Sequence, residues 1–280
     1  MADFGPFRET RRRGEVGWVH QDLAGLGLEP FWQALEPLAG AKGRGGVGLL
    51  EVGGRELVVR PYRRGGALGS LLDDRYTKPV RARRELEVLH KLQCEGVPVV
   101  QPIAAVARRR GAFWRLRLCT ERLVDADPAP AFFARYPDRR RASAEVLGVV
   151  VRLAFAAGLR HPDLHPDNVL CRPVDGDSGA TKVRSVLVDL DRAELRGELS
   201  ERARDEMLVR MQRYLVRHRR KLDALPSRPE TLRFLRGLGP GYGADRAERR
   251  SSWLRLAAKL ERALALRGGL GRRLDRSRLD

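Results

Sequence analysis

In the first half of the chain, apolar residues fall in short runs broken by glycine and charged pairs. In the second half they fall mostly at helical spacing. Leu49–Val52 and Glu56–Val59 flank Gly53-Gly54, which predicts two antiparallel strands joined by a tight turn. Val80, Leu86, Leu89 and Leu92 lie near a 3.6-residue period among charges, so a helix is predicted over 80–95, ended by Gly96. Val97–Pro102 reads as extended. Ile103–Val106 and Ala112–Leu118 read as a second strand pair around the polar turn Arg108–Gly111, with Thr120-Glu121-Arg122 following the last strand. Residues 1–40 show no clean period, and 63–79 read as a polar loop. Arg141–Leu159 is a mostly apolar helix with Gly158 as its C-cap. Leu159–Leu170 is a loop rich in His, Asp and Pro, 173–182 a polar turn, and Val183–Leu190 a short strand. Beyond Leu195 the pattern is helical, broken at Pro226–Pro229 and Gly237–Gly243. A strand-rich portion holding one helix, followed by a helical portion, is an α+β order.

Composition narrows the class. With 42% hydrophobic and 32% charged residues, the 280-residue chain is no disordered protein and can enclose a real core. The longest apolar stretch, Val146–Leu159, is interrupted by Arg152 and is too short to span a bilayer. Met1–Arg13 lacks the apolar region of a secretory signal. Cys94, Cys119 and Cys171 are far apart and odd in number, against a disulfide framework or zinc cluster and for a reducing compartment; all three are expected to be buried and inert. The net charge is +19, of which residues 201–280 contribute +12. A basic region attracts nucleic acid, anionic lipid or phosphorylated glycolipid. Arginine outnumbers lysine 49 to 6, so base composition of the genome is a competing explanation for the total.

Candidate chemistry concentrates at His161-Pro162-Asp163-Leu164-His165-Pro166-Asp167-Asn168, which fits H-x-D-L-x-x-x-N, the catalytic-loop pattern of protein-kinase-like phosphotransferases. One carboxylate, Asp163, must meet an acceptor hydroxyl while an amide oxygen five residues later, at Asn168, meets a magnesium ion. A second carboxylate must reach the metal from a strand end, and Asp189, at the end of apolar Val186–Val188, stands 26 residues after Asp163. Asp191 is open between a catalytic role and capping or pairing with Arg192. His161 is expected to hold the loop backbone; His165 is either a phosphate contact or a solvated loop residue. Upstream, Gly43, Gly45, Gly46 and Gly48 of the stretch AKGRGGVG can let backbone amides approach phosphates. Arg60 ends the next strand where these enzymes carry a lysine, with Glu85 in the 80–95 helix as its partner. An ordinary surface ion pair is the bland reading of those two. The four tryptophans are expected to pack rather than to stack on ligands.

With those residues placed, the chain resembles bacterial lipopolysaccharide kinases, nearest those of 3-deoxy-D-manno-octulosonic acid (Kdo) and next the core heptose kinases. Val58–Gly66, Asp74-Arg75-Tyr76, Arg81–Leu89, Gly96–Val99, Thr120-Glu121-Arg122 and Leu187–Arg192 carry the likeness, over roughly residues 40–222. The resemblance implies a bilobal protein-kinase-like fold: a small strand-rich N-lobe with one key helix and a larger, mainly helical C-lobe. Residues 1–40 would then extend and pack on the N-lobe, 41–119 form it, 120–124 form the hinge with Glu121 at the nucleotide, and 125–280 form the C-lobe with its basic helices. It also implies ATP and Mg2+, lipid A–core glycolipid as substrate, no specific nucleic acid, and work at the cytoplasmic face of the inner membrane. Leu190 departs from the aromatic usual between the two acids, 173–182 lengthen the connection before the metal-binding strand, and the tail beyond about 225 has no counterpart in the family. A small-molecule kinase of the aminoglycoside or choline type, or a non-catalytic polyanion-binding pseudokinase, would share much of this pattern. The helix Met207–Leu222 sets Met207, Met211, Tyr214, Leu215 and Leu222 near one side, with Arg210, Arg213, Arg217, Arg220 and Lys221 largely elsewhere, facing anionic lipid, the phosphates of lipid A, or solvent.

Overall fold

The computed structural model describes residues 3–38, 46–63, 75–174 and 182–265. Gly43, Gly45, Gly65, Gly66, Asp74, most of the 63–79 loop, the centre of the 173–182 turn and residues 266–280 lie outside the described residues. The chain divides into two compact units, Met1–Cys94 with Val100–Leu123 and Glu95–Val99 with Val124–Asp280.

The first unit is built on strands β1 (Phe7–Arg12), β2 (Glu15–His20), β3 (Glu36–Pro37), β4 (Gly48–Val52), β5 (Arg55–Pro61), β6 (Pro102–Arg110) and β7 (Phe113–Glu121). They form one sheet in the order β1-β2-β6-β7-β5-β4-β3, every pair antiparallel. The β4–β5 turn sits at Gly53 and Gly54, with φ +59° and +75°, the left-handed pair that a two-residue hairpin demands and that glycine adopts without strain. Helix α1 (Gln21–Ala24) and the following segment set Leu23, Leu28 and Phe31 against one sheet face, with Val19, Leu50, Leu57, Val59 and Val106. Gly17 makes this close: a Cβ there would lie 2.4 Å from Leu28 Cδ2. Helix α2 (Val80–Cys94) buries Ala82, Glu85, Leu86, Leu89 and Leu92. Residues without a readable period thus form β1, β2, the short β3 and a cover. Val16, Gly17, Trp18 and Val19 are all buried, so alternation is absent where the sheet is covered on both faces. Strand β7 also runs through Thr120 and Glu121, which pair with Val58 and Leu57 instead of following the strand.

The second unit adds the short strand β8 (Asp127–Pro128) and helices α3 (Ala129–Arg135) and α4 (Arg140–Ala156). It continues with β9 (Leu159–Arg160), β10 (Val169–Val174), β11 (Lys182–Leu187) and β12 (Glu194–Leu195), then helices α5 (Glu201–His218), α6 (Arg228–Leu238) and α7 (Arg246–Ala265). Strands β10 and β11 pair antiparallel, Val169 opposite Leu187, and β9 pairs with β12. These two pairings hold both ends of the His/Asp-rich loop. Gly158, with φ +74°, donates to the Phe155 carbonyl and ends the α4 region as expected. Helix α5 starts earlier than its apolar side suggests, because the Ser200 hydroxyl caps it by accepting from the Ala203 amide. Among the described residues no helix is long and apolar enough to cross a membrane.

Candidate active site

In the first unit, β5 delivers Arg60 and α2 delivers Glu85. Arg60 Nη2 donates to both oxygens of Glu85 at 2.5 Å. Tyr62, just past β5, donates its hydroxyl to Glu85 Oε2 at 2.5 Å, and the Arg60 guanidinium lies 4.7 Å from the Tyr62 ring centre. The Glu85 side chain is only 3% exposed and that of Arg60 21%, so this is no surface ion pair. A carboxylate out of water that accepts from both this cation and this phenol fixes where the guanidinium points. Gly46 has φ +63°, a backbone state open to glycine. Gly48 has a packing reason of its own: a Cβ there would meet Glu36 O at 2.6 Å and Leu35 Cβ at 2.7 Å. Glu121 exposes its side chain and donates its amide to the Gln101 carbonyl.

In the second unit, His161 is 1% exposed and joins two segments. Its Nδ1 accepts from the Asp163 amide at 3.1 Å, which leaves the proton on Nε2, and Nε2 donates to the Asp189 carbonyl oxygen at 3.0 Å. Burial holds the imidazole pKa below its ordinary value against the pull of both aspartates, so the ring stays neutral. Asn168 closes the loop: its side-chain amide donates to the Asp163 carbonyl at 3.2 Å. Its own carbonyl accepts from the Val188 amide at 2.9 Å, immediately before Asp189. Asp189 has φ +53°, a left-handed conformation that aspartate tolerates better than most residues and that turns the chain as it leaves β11. The Asp163 side chain is 77% exposed, so its carboxylate is open to a substrate. Leu190, where the family pattern has an aromatic, is buried at 1% exposure.

The sequence pattern does not single out the part α5 plays. Met207 Sδ accepts from the His161 amide at 3.3 Å, and Arg210 donates to the Pro162 carbonyl. Tyr214 donates to Asp167 Oδ2 at 2.5 Å and stacks on His165. Arg210 therefore braces the loop rather than only facing outward. Helical spacing puts these residues on one stripe, but nothing in the spacing says what the stripe meets. One cysteine expectation is corrected: Cys119 and Cys171 are buried, but Cys94, at the end of α2, is exposed because the helix turns its last residue outward.

A strand cation tied to a helix carboxylate, and a loop whose histidine binds the backbone of two aspartates, belong to a protein-kinase-like fold. A solved structure described as WaaP in complex with acyl carrier protein shares it at TM-score 0.54, with 24% identity, covering 82% of this chain and 87% of that one. Residues 30–234 match the Lipopolysaccharide kinase (Kdo/WaaP) family. The 3-deoxy-D-manno-octulosonic acid kinase of Vibrio vulnificus (strain CMCP6) is 31% identical over 178 residues, covering 61% of this chain and 74% of its own length. The enzyme of that name from Xylella fastidiosa (strain M12) is 29% identical over 238 residues, 81% of this chain and 91% of its own. The chain belongs to the lipopolysaccharide kinase (Kdo/WaaP) family and is a phosphotransferase acting on a core sugar hydroxyl. Neither the small-molecule kinase nor the polyanion-binding pseudokinase is favoured.

Proposed function

We propose that this chain transfers the γ-phosphoryl group of ATP to a hydroxyl of Kdo on lipid A–core. The observation that carries this reading is His161, whose two ring nitrogens hold the backbone of Asp163 and of Asp189 in one hydrogen-bonded unit. Asp163 orients the acceptor hydroxyl and takes its proton late in transfer. Asn168 and Asp189 offer hard oxygen donors, the set that Mg2+ prefers. Two protein oxygens would leave the remaining positions of a magnesium ion to phosphate oxygens and water, which it commonly keeps. When bound, Mg2+ neutralises charge on the phosphates. Arg60, held by Glu85, binds the α- and β-phosphates, because a planar guanidinium can meet two phosphate oxygens at once. Gly43, Gly45, Gly46 and Gly48 cover the phosphates, and Glu121 lies at the nucleotide base.

In this reading residues 1–40 extend the nucleotide-binding portion 41–119, 120–124 are the hinge, and 125–280 carry the catalytic loop. The arginines on α5 and in the tail meet anionic lipid at the cytoplasmic face of the inner membrane. The test is labelled-ATP transfer into purified Kdo–lipid A beside heptosylated core and small alcohols. Kdo–lipid A is expected to be labelled and the alcohols not. Asp163→Ala and Asp189→Ala are expected to keep the fold and lose about a thousandfold or more in kcat. Near-parental turnover in both would reject the site.

A further inference from the structure

Tyr214 of α5 stands between two imidazoles. Its ring stacks on His165 with centroids 4.1 Å apart and planes 8° apart, and on His218 with 4.2 Å and 29°. Its hydroxyl donates to Asp167 Oδ2 at 2.5 Å, and His218 Nδ1 lies 3.0 Å from the Tyr214 carbonyl, which anchors the second imidazole to the same helix turn. Burial, then the Asp167 carboxylate, hold the phenol well above its ordinary pKa, so it stays a donor.

His165 has no such hydrogen bonds of its own. Its Nδ1 is buried without a hydrogen-bond partner. Its Nε2 lies 4.0 Å from Asp163 Oδ2, too long for a hydrogen bond but close enough for the carboxylate to favour the tautomer with the proton on Nε2. Burial keeps the ring neutral. What fixes its plane is therefore the stack on Tyr214.

We propose that Tyr214 is a positioning residue for phosphoryl transfer: by clamping His165 face to face and tethering Asp167, it keeps the Nε2–H of His165 beside the Asp163 carboxylate. The role rests on Asp163 being the residue that meets the acceptor hydroxyl. An N–H held at that side gives an otherwise exposed carboxylate one favoured orientation toward the acceptor hydroxyl. The Tyr214 hydroxyl adds a second restraint one residue before Asn168. A tyrosine that merely packed α5 on the loop would support stability without acting through His165.

A double-mutant cycle separates the two roles. The full chain is assayed with ATP and Kdo–lipid A as parent, Tyr214→Leu, Tyr214→Phe, His165→Ala and the Tyr214→Leu/His165→Ala double variant, with melting followed for each. Tyr214→Leu is expected to lower kcat about tenfold with the KM for ATP changed by less than about twofold. Tyr214→Phe, which keeps the stack and loses the bond to Asp167, is expected to lower kcat about threefold. In the His165→Ala background, Tyr214→Leu is expected to cost less than about a further twofold. A parental kcat in Tyr214→Leu, or its full loss persisting without His165, overturns the proposal. Where Tyr214→Leu does not fold, the decision falls to Tyr214→Phe, and a parental kcat there overturns it. Asp163→Ala run in parallel keeps the two readings apart, since undiminished turnover in that variant removes the catalytic base and not the clamp alone.

Discussion

The imidazole of His161 donates from Nε2 to the backbone carbonyl of Asp189, 28 residues further along the chain, at 3.0 Å. The same ring accepts from the Asp163 amide. One buried side chain therefore sets the relative placement of both carboxylate-bearing segments through their backbones and leaves the carboxylates available for other work.

That arrangement has a pH signature. An unfolded histidine titrates near 6.5, whereas burial holds His161 lower in the folded chain. As pH falls, the unfolded chain takes up the proton first. The contribution to stability is thus full above the unfolded value and is lost as pH drops through it toward the folded value. The melting temperature should decline from about pH 7.5 to about pH 5, and decline less in His161→Gln, which cannot gain that proton. A parent melting temperature that is flat or rises toward the acid side contradicts this account.

Glu85 accepts from Arg60 and from Tyr62, among its contacts, and is almost fully buried. Glu85→Gln keeps the shape and removes the charge. It removes the charge that faces a largely buried guanidinium, at a cost of about 3 kcal/mol in unfolding free energy, and should raise the KM for ATP about tenfold as Arg60 loses its aim. Tyr62→Phe removes one hydrogen bond to a charged acceptor and should cost about 1.5–3 kcal/mol. Denaturant titration and initial-rate kinetics on both variants check this; an unchanged KM in Glu85→Gln would separate the pair from nucleotide binding.

How much of this could be read from the chain depends on how local the information is. The β4–β5 hairpin is legible because Gly53-Gly54 carries its own turn chemistry, and α2 because four leucine and valine positions share one period. The His161–Asn168 loop is legible because its residues and spacing lie within one octapeptide, and the Arg60–Glu85 pairing because strand and helix each declare themselves. Strand β2 is not, since a segment covered on both faces shows no alternation. Helix α3 is not, since Pro128 and Pro130 bracket its start and its seven residues are too few to display a period. Tyr214 is the furthest from local information: its partner Asp167 lies 47 residues away, and an aromatic on an apolar helix side looks the same whether it meets core or catalytic loop.

The cysteines should report burial directly. Burial pushes the Cys119 thiol up to about 12 and the Cys171 thiol to about 11, whereas Cys94 is exposed. A thiol is nucleophilic only as thiolate, so both buried groups are protonated and shielded at neutral pH. A disulfide-exchange reagent should modify Cys94 alone in the native protein and all three in denaturant. Labelling of Cys119 or Cys171 at the rate of Cys94 would contradict the buried placement of β7 or β10.

The support beneath the His161–Asn168 loop hinges on two glycines. Helices α4 and α6 cross where Gly148 faces Gly237, and a Cβ on Gly148 would lie 2.1 Å from the Phe234 carbonyl oxygen and 2.9 Å from Gly237 Cα. On Gly237 a Cβ would lie 2.1 Å from the Glu145 carbonyl oxygen. The obstructing atoms are backbone, which cannot rotate away as a side chain can. Two effects oppose each other in Gly148→Ala. Replacing a helical glycine gains about 1 kcal/mol in helix propensity. Overpacking a rigid crossing costs about 1–3 kcal/mol, and more where the neighbour is main chain. The clash is expected to win, lowering the urea midpoint. Gly197→Ala is the control, since a Cβ there meets nothing within 4 Å and its φ is not positive. That variant should stay within about 0.5 kcal/mol of the parent. A stabilised Gly148→Ala would mean that the two helices can move apart at little cost, and the close crossing would not be what holds α4 in place above the loop it leads into.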